Sequence, residues 1–241
     1  MPESSLILTA YNRAAQLERT LKSIYAQSFK DFETIIIEDG DDGGETRKLC
    51  ERFGCIYLQR KNRPDQPFAN PAPLINAGIR KAQGEVLILQ NAECRHVSPG
   101  AIEALTKRHR ENKRLAVFAS VIIDDANSEA QYWGSHINHA VSPYFFCGSL
   151  RREWVECLRG FDEDFKYWGA EDDDFAWRLQ ALGIAFEFPA DIIVEHQWHP
   201  VSKGYRKEEN IALFEKHIRP LREGRESPVR NLGRDWGVLD A

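Results

Sequence analysis

Residues 5–46 read SLILTAYNRAAQLERTLKSIYAQSFKDFETIIIEDGDDGGET. A short apolar run, SLILTA, stops at the polar turn YNR. Leu17, Leu21 and Ile24 then recur at helical spacing, with Asn12 placed to cap the helix. A second apolar run, FETIIIE (32–38), ends in DGDDGG, a composition that only a loop accommodates. Strand, helix, strand in this order is the start of a βαβ unit and predicts a parallel sheet.

The alternation continues. A helix fits 44–53, with Leu49 and Phe53 inward, and CIYLQ (55–59) is a third strand. NRPDQPFANPAP (62–73) is a proline-rich loop of a length that usually serves function, here as a flap that closes over a ligand. PLINAGIRKAQG (73–84) predicts a helix closed by Gly84. EVLILQ (85–90) is an apolar strand followed directly by NAEC. SPGAIEALTKRHR (98–110) predicts a helix with Ser98 as N-cap and Pro99 in its first position. LAVFASVII (115–123) reads as one further strand. The fold class is therefore α/β, a mostly parallel central sheet flanked by helices. Ligands in such sheets bind beyond the carboxyl ends of the strands, where TAYNR, EDGDD, NAEC and the loop after 123 stand. From 124 the pattern loosens into two helices and two short strands (184–188 and 192–195). The organisation expected is an α/β half over 1–123, a second half of the same domain over 124–200, and an extension over 201–241. Residues 203–234 read as a solvated surface of mixed charge.

The chain has 241 residues and a formal net charge of −5, which offers no global basic field for nucleic acid. Its five cysteines are odd in number and form no CxxC pair, the usage of reduced thiols in a cytoplasmic protein. No signal peptide and no apolar run of membrane-spanning length appears, so no transmembrane anchor is expected. GxGxxG and Walker phosphate loops are absent. A bound diphosphate would then need a metal rather than a glycine cradle.

Three constellations carry chemistry. In YWGAEDDDFAWRL (167–179), Phe175, Leu179 and Leu182 make a helix of 171–182 that stops at Gly183, so four carboxylates fill its first turn. The helix dipole stabilises acids there by about 0.3–1 kcal/mol each, which accounts for one or two of the four. Gly169 and Ala170 allow close backbone approach, and Trp168 offers a flat face for a sugar. In EHQWHP, His196 and His199 stand three apart at a strand end, within reach of one ion if Glu93 of NAEC joins them. Mixed oxygen and imidazole donors suit Mn²⁺, with Mg²⁺ or Zn²⁺ as alternatives. In TAYNR and EDGDD, Tyr11 is placed to stack on a base and Thr9 and Asp39 to hydrogen-bond its edge.

These residues resemble those of family 2 glycosyltransferases of the GT-A fold. The opening strand, turn, helix and acidic loop are similar to that family's first half. INAGIRKAQGEVLILQNAEC resembles the helix and strand that lead to its DxD metal motif. GFDEDFKYWGAEDDDFAWRL resembles the galactosyltransferase-type GFDE…GWGGEDDD…RL motif, and HQWH resembles the late histidine element. The resemblance covers about residues 4–200. It implies that Thr9, Tyr11 and Asp39 bind the uracil end of a UDP-sugar, with Ala10, Asn12 and Arg13 close by and Asn76 and Asn91 in the matched helix and strand. It implies Glu93 at the last acid of DxD and His196 as late metal ligand. His199 is either a second ligand or a diphosphate contact. Asp172 matches the catalytic base, and Glu171 and Trp168 would contact sugars.

The expected activity is a metal-dependent, inverting transfer of a hexose or N-acetylhexosamine to an acceptor hydroxyl, on a carbohydrate or on a modified DNA base. Asn91-Ala92-Glu93 departs from DxD by one carboxylate, Glu38 replaces the first acid of the DDGS-like loop, and Tyr167 stands where glycine is frequent. The depleted DxD motivates an alternative, a non-catalytic nucleotide-sugar or glycan-binding homologue. A nucleotidyltransferase on a related fold would carry a glycine- and lysine-rich signature that TAYNRAAQ lacks.

Overall fold

Strand β1 (Ser4–Ala10) lies at the heart of a seven-stranded sheet, and its alternating side chains define the two core layers. Leu6, Leu8 and Ala10 pack on one face with Leu17, Leu21 and Ile24 of α1 (Ala14–Tyr25). Ile7 packs on the other. The structure, a computed structural model, describes residues 1–61, 70–123, 131–133, 144–199 and 207–239. Most of the proline-rich segment expected to act as a flap, 62–69, lies outside the described residues.

After α1 come β2 (Phe32–Asp39), α2 (Glu45–Phe53), β3 (Ile56–Arg60), α3 (Ala72–Lys81) and β4 (Val86–Asn91). The strands β4, β1, β2 and β3 are neighbours and all parallel. Thr9 pairs with Asn91 on one side and Ala10 with Glu38 on the other. Three of the loops read as ligand-facing, TAYNR, EDGDD and NAEC, thus leave the sheet at one end, and the loop after 123 lies outside the described residues.

Four further elements follow: β5 (Cys94–His96), α4 (Ala101–Glu111), β6 (Leu115–Phe118) and β7 (Ser120–Ile123). The single strand expected over 115–123 is in fact two, in two different sheets. Ala119 donates its N–H to the Cys147 carbonyl at 3.0 Å, whereas Ser120 donates to Ile192 at 2.8 Å. One residue therefore moves the chain from the main sheet into a second, four-stranded one. That sheet has the order β5, β11, β7, β8, with β8 at Gln131–Trp133 and β11 at Ile193–His196.

The remaining elements are β9 (Cys147–Arg151), α5 (Arg152–Leu158), α6 (Glu171–Ala181), β10 (Ala185–Glu187) and α7 (Lys207–Arg222). β9 runs antiparallel between β4 and β6, and β10 pairs parallel with β6 at the edge. The second core layer joins Ile7, Ile35, Ile37, Leu87 and Leu89 to Leu74 and Ile79 of α3, Val155 and Leu158 of α5, and Phe175 and Leu179 of α6.

Several local expectations are corrected. Asn12 does not cap α1: it sits at φ 53°, Arg13 takes the N-cap position, and no side chain bonds the helix end. Ser98 does not cap α4, whose N-cap is Gly100. Its hydroxyl instead donates to the Asp191 carbonyl at 2.7 Å and accepts the Ile193 N–H at 2.9 Å, fastening the start of β11. Gly84 does not close α3, which ends at Lys81. Nor is 203–234 merely solvated surface, since Asn210, Leu221 and Arg230 are buried. All five cysteines are free thiols. No helix among the described residues is long and apolar enough to cross a membrane.

Gly84 has a different role, close approach to β1. A Cβ there would lie 2.6 Å from the Ser4 carbonyl carbon and 2.7 Å from the Ser5 nitrogen. Backbone cannot yield as a side-chain tip can, so Gly84→Ala is expected to lower the urea-unfolding free energy by about 1–3 kcal/mol. Unchanged stability would contradict this packing.

Candidate functional site

Glu93 follows a tight turn from β4, and its backbone is held on both sides. The Ala92 N–H donates to the Thr9 carbonyl at 3.1 Å, and the Glu93 carbonyl accepts the Gln197 N–H at 3.0 Å. Antiparallel pairing of β5 with β11 sets Cys94 opposite His196. The Glu93 carboxyl consequently meets both imidazoles: Oε1 is 3.7 Å from His196 Nε2 and 3.4 Å from His199 Nε2. All three donor atoms lie within 4.8 Å of one another.

The electrostatics fit a cation. Burial pushes the Glu93 carboxyl up, yet the His199 hydrogen bond and the two imidazoles outweigh it and hold the group below its ordinary value. Burial lowers His196, against the opposing pull of Glu93. Site chemistry thus favours an ionised carboxylate and a neutral imidazole, the protonation states a metal requires. A cation with bonds of about 2.1 Å holds adjacent ligands roughly 3.0–3.4 Å apart. The observed separations are already within a few tenths of an ångström of that range. Arg13 bears on the choice of ligand. Its Nη2 lies 3.1 Å from His199 Nδ1. A guanidinium only donates, so Nδ1 accepts and the proton of neutral His199 sits on Nε2, facing Glu93. The ring of His196 packs edge-on against Phe146 at 5.4 Å.

Phe145 and Phe146 connect this cluster to the acidic turn. The Phe146 carbonyl accepts the Asn91 N–H at 3.1 Å, and the Phe145 N–H donates to Asp172 Oδ2 at 3.3 Å. One dipeptide ahead of β9 therefore touches the histidine on one side and holds the Asp172 carboxylate on the other.

The four carboxylates of α6 live in four environments. Burial pushes Glu171 well above the carboxylate range, with the Asp172 charge adding to it. Burial raises Asp172 to about 7, opposed by the Phe145 N–H and reinforced by Asp173. Asp173 is partly exposed. Burial also acts on Asp174, but the Arg178 charge one turn later, with His217 and Arg230, brings it below its ordinary value. Arg178 Nε donates to Asp174 Oδ2 at 2.6 Å, and both side chains are buried. Through Arg178, which also donates to the Gly160 carbonyl at 2.9 Å, Asp174 holds a neighbouring loop. Repulsion is relieved by protonation and ion pairing.

Ahead of the turn, Gly169 (φ 98°) and Ala170 (φ 70°) reverse the chain. Asn210 of α7 fixes that reversal, donating to the carbonyls of Tyr167 at 2.7 Å and Gly169 at 2.8 Å. Trp168 is left 41% exposed on top of it. Nothing in the sequence singles out Asn210. Asp162, Asp174 and His217 form a second cluster of metal-ligating type. Arg178 and Arg230 already match its two carboxylates, so a divalent ion there would bring uncompensated charge into the interior.

At the sheet's other ligand-facing loops, Tyr11 is 38% exposed. The Asn12 N–H reaches Glu38 Oε1 at 3.4 Å, and Thr46 Oγ1 donates to Glu38 Oε2 at 2.9 Å. Glu38 is thus an internal pin beneath the YNR turn, and burial raises it to about 7. Asp39 is paired to Arg60, whose Nε donates to Oδ1 at 2.7 Å. Asn76 lies away from these loops' exposed surface. It is fully buried, its Nδ2 donates to Phe161 O and Glu163 Oε1, and its Oδ1 accepts the Phe161 N–H. Its amide is bonded to the 160–163 turn on both its nitrogen and its oxygen.

The sequence profile described as Glycosyl transferase family 2 matches residues 5–179. Chondroitin synthase of Pasteurella multocida (strain Pm70) is 39% identical over 242 residues, covering 81% of this chain and 25% of that protein. A Campylobacter jejuni GalNAc(5)-diNAcBac-PP-undecaprenol beta-1,3-glucosyltransferase is 28% identical, over 56% of this chain and 43% of that one. The chain thus spans a quarter to less than half of these relatives. Among solved structures, S. aureus TarS 1-349 in complex with UDP-GlcNAc superposes with TM-score 0.69 at 15% identity, over 90% of this chain and 66% of that one. The mannosyltransferase PcManGT of Pyrobaculum calidifontis, in complex with GDP-Man and Mn²⁺, gives 0.65 at 17%, over 94% and 65%. The fold is GT-A, and the chain belongs to glycosyl transferase family 2.

Proposed function

We propose that the protein is a metal-dependent inverting glycosyltransferase that moves a hexose or N-acetylhexosamine from a UDP-sugar to a hydroxyl of a growing glycan. The single observation that carries this is the meeting of Glu93 with His196, joined through Phe145 and Phe146 to a carboxylate, Asp172, that burial raises to about 7. The relative named chondroitin synthase and the solved complexes with nucleotide sugars support donor and acceptor class.

Glu93 and His196 would hold Mn²⁺ or Mg²⁺, which when bound neutralises charge on the departing diphosphate. Arg13, beside His199, adds a fixed positive charge on the same flank. Tyr11 and Asp39 would take the base, with Thr9 and Ala10 shaping that pocket. Asp39 is oriented for that contact by Arg60, whose Nε donates to Oδ1. Trp168 offers its face to the acceptor sugar, backed by the Asn210 clamp. Asp172 receives the proton of the attacking hydroxyl at a carboxylate oxygen. A group titrating near 7 is suited to that step, since it is largely ionised at working pH yet basic enough to accept. Buried, protonated Glu171 leaves Asp172 as the charged member of the pair.

Asp172→Asn keeps the shape and the Phe145 hydrogen bond. It is expected to bind UDP with unchanged affinity in calorimetry and to lose about 10²–10⁴-fold in transfer rate. Wild-type turnover in that variant would remove Asp172 from the mechanism. UDP release from donor with Mn²⁺, abolished by EDTA, separates this reading from a non-catalytic binding homologue, which releases none.

The same substitution has a stability signature. Asp172 titrates near 7 in the folded chain and at 3.8 as a free side chain. The folded state therefore binds more protons between those values, and wild-type stability falls as pH rises through that window. Asp172→Asn escapes the penalty. Urea unfolding of metal-free protein at pH 8 is expected to show the variant roughly 1–4 kcal/mol more stable. The difference should shrink toward zero at pH 4. A variant less stable than wild type at pH 8 would contradict the assigned environment.

A further inference from the structure

Among the described residues of the HQWH segment, Gln197 is the one that faces away from the cleft. It is 2% exposed, while its neighbour Trp198 is 56% exposed. Side chains alternate along an extended chain, so turning Gln197 inward is what turns His196 outward. The amide is fully used. The two N–H groups of Nε2 are shared among three acceptors, the Glu93 carbonyl at 3.0 Å, Thr20 Oγ1 at 3.0 Å and the Gln16 carbonyl at 3.1 Å. Oε1 accepts from Arg19 Nε. The Gln197 backbone N–H adds a second bond to the same Glu93 carbonyl. Gln16 then reaches over to the Trp198 carbonyl at 3.3 Å.

From this we infer that Gln197 is the positioning residue of the cation site, fixing Glu93 and His196 relative to each other by tying both to α1. The inference rests on the proposed metal role of those two residues and goes beyond it. The site has one carboxylate where the family motif has two, so its affinity depends more heavily on how accurately that one is placed. Three segments distant in the chain meet at this amide: the Glu93 turn, the end of β11, and α1. The last has Arg13 at its N-cap position, and that residue also contacts His199. No ligand atom comes from Gln197 itself. It acts by removing freedom from the two groups that do ligate, as outer-shell partners of metal ligands do.

The test is a Mn²⁺ titration of the whole chain, with UDP present, following the EPR signal of free Mn²⁺. Melting temperature and circular dichroism are recorded alongside. Gln197→Leu, similar in volume, is expected to weaken Mn²⁺ binding about 10-fold or more. A purely structural role would lower the melting temperature and leave the dissociation constant of the folded protein where it was. A folded Gln197→Leu that binds Mn²⁺ as wild type does overturns the inference. Should that variant fail to fold, Arg19→Ala decides. Arg19 is exposed, and its loss frees Oε1 without disturbing the core. It is expected to weaken Mn²⁺ binding by a smaller factor, and a wild-type constant there overturns the inference equally. Wild-type protein that binds no Mn²⁺ overturns the metal reading of Glu93 and His196 and this inference with it. Wild-type binding with unaffected variants removes only the role of Gln197.

Discussion

The pairing of β5 with β11 is the constraint on which the site depends. Glu93 and His196 are a hundred positions apart in the chain, and closing so long a loop is entropically costly. The cost is met by the sheet, with β11 gripped by β5 on one side and β7 on the other. The register admits no slip, since a shift by one residue would put Gln197 in the cleft and His196 against α1. Ser98 and the bidentate Arg95–Glu195 pair fasten the same strand from two further points. His196 therefore ends a strand paired on both sides, and Glu93 stands in the turn directly before β5, with its carbonyl bonded to the Gln197 N–H.

The acidic turn meets a different constraint. A helix start that carries Asp172 at the cleft must also be anchored, and the anchor is electrostatic. Asp174 and Arg178 form a buried pair, and Arg178 also donates to the Gly160 carbonyl at 2.9 Å. Removing one member of such a pair is costly because the other charge is stranded. That rigidity lets Asp172 occupy a place that destabilises its charged form. Stability is given up at one carboxylate and recovered two residues later in the same turn.

Much of the first half was legible because apolar runs and helical spacing there agree with each other. β1, α1, β2, β3 and β4 stand where their patterns put them. The second half was less so, for identifiable reasons. β9 reads CGSLR, with small and polar residues that look like a turn, yet it is buried on both faces and needs no alternation. β5 is three residues long, below the reach of any periodic signal. The break at Ala119 leaves no mark in LAVFASVII, because both sheets bury their strands. Ser98 looked like a helix cap because serine bonds nearby backbone in either role, and tertiary contact with β11 decided between them.

At the site, residue types indicated the cluster but not its supports. Glu93, His196 and Asp172 stood out because charged groups at strand and helix ends ask for a reason. Gln197, Asn210 and Arg60 did not, since a buried amide or guanidinium is legible only once its partners are known. Asn76 lies in a matched segment, and its amide bonds the 160–163 turn. The most direct test of the central claim is a crystal of the protein grown with Mn²⁺ and UDP, measured for anomalous scattering at the manganese edge. The account predicts one peak bonded to both a Glu93 carboxylate oxygen and His196 Nε2. A peak that touches only one of them, or lies elsewhere, would contradict it.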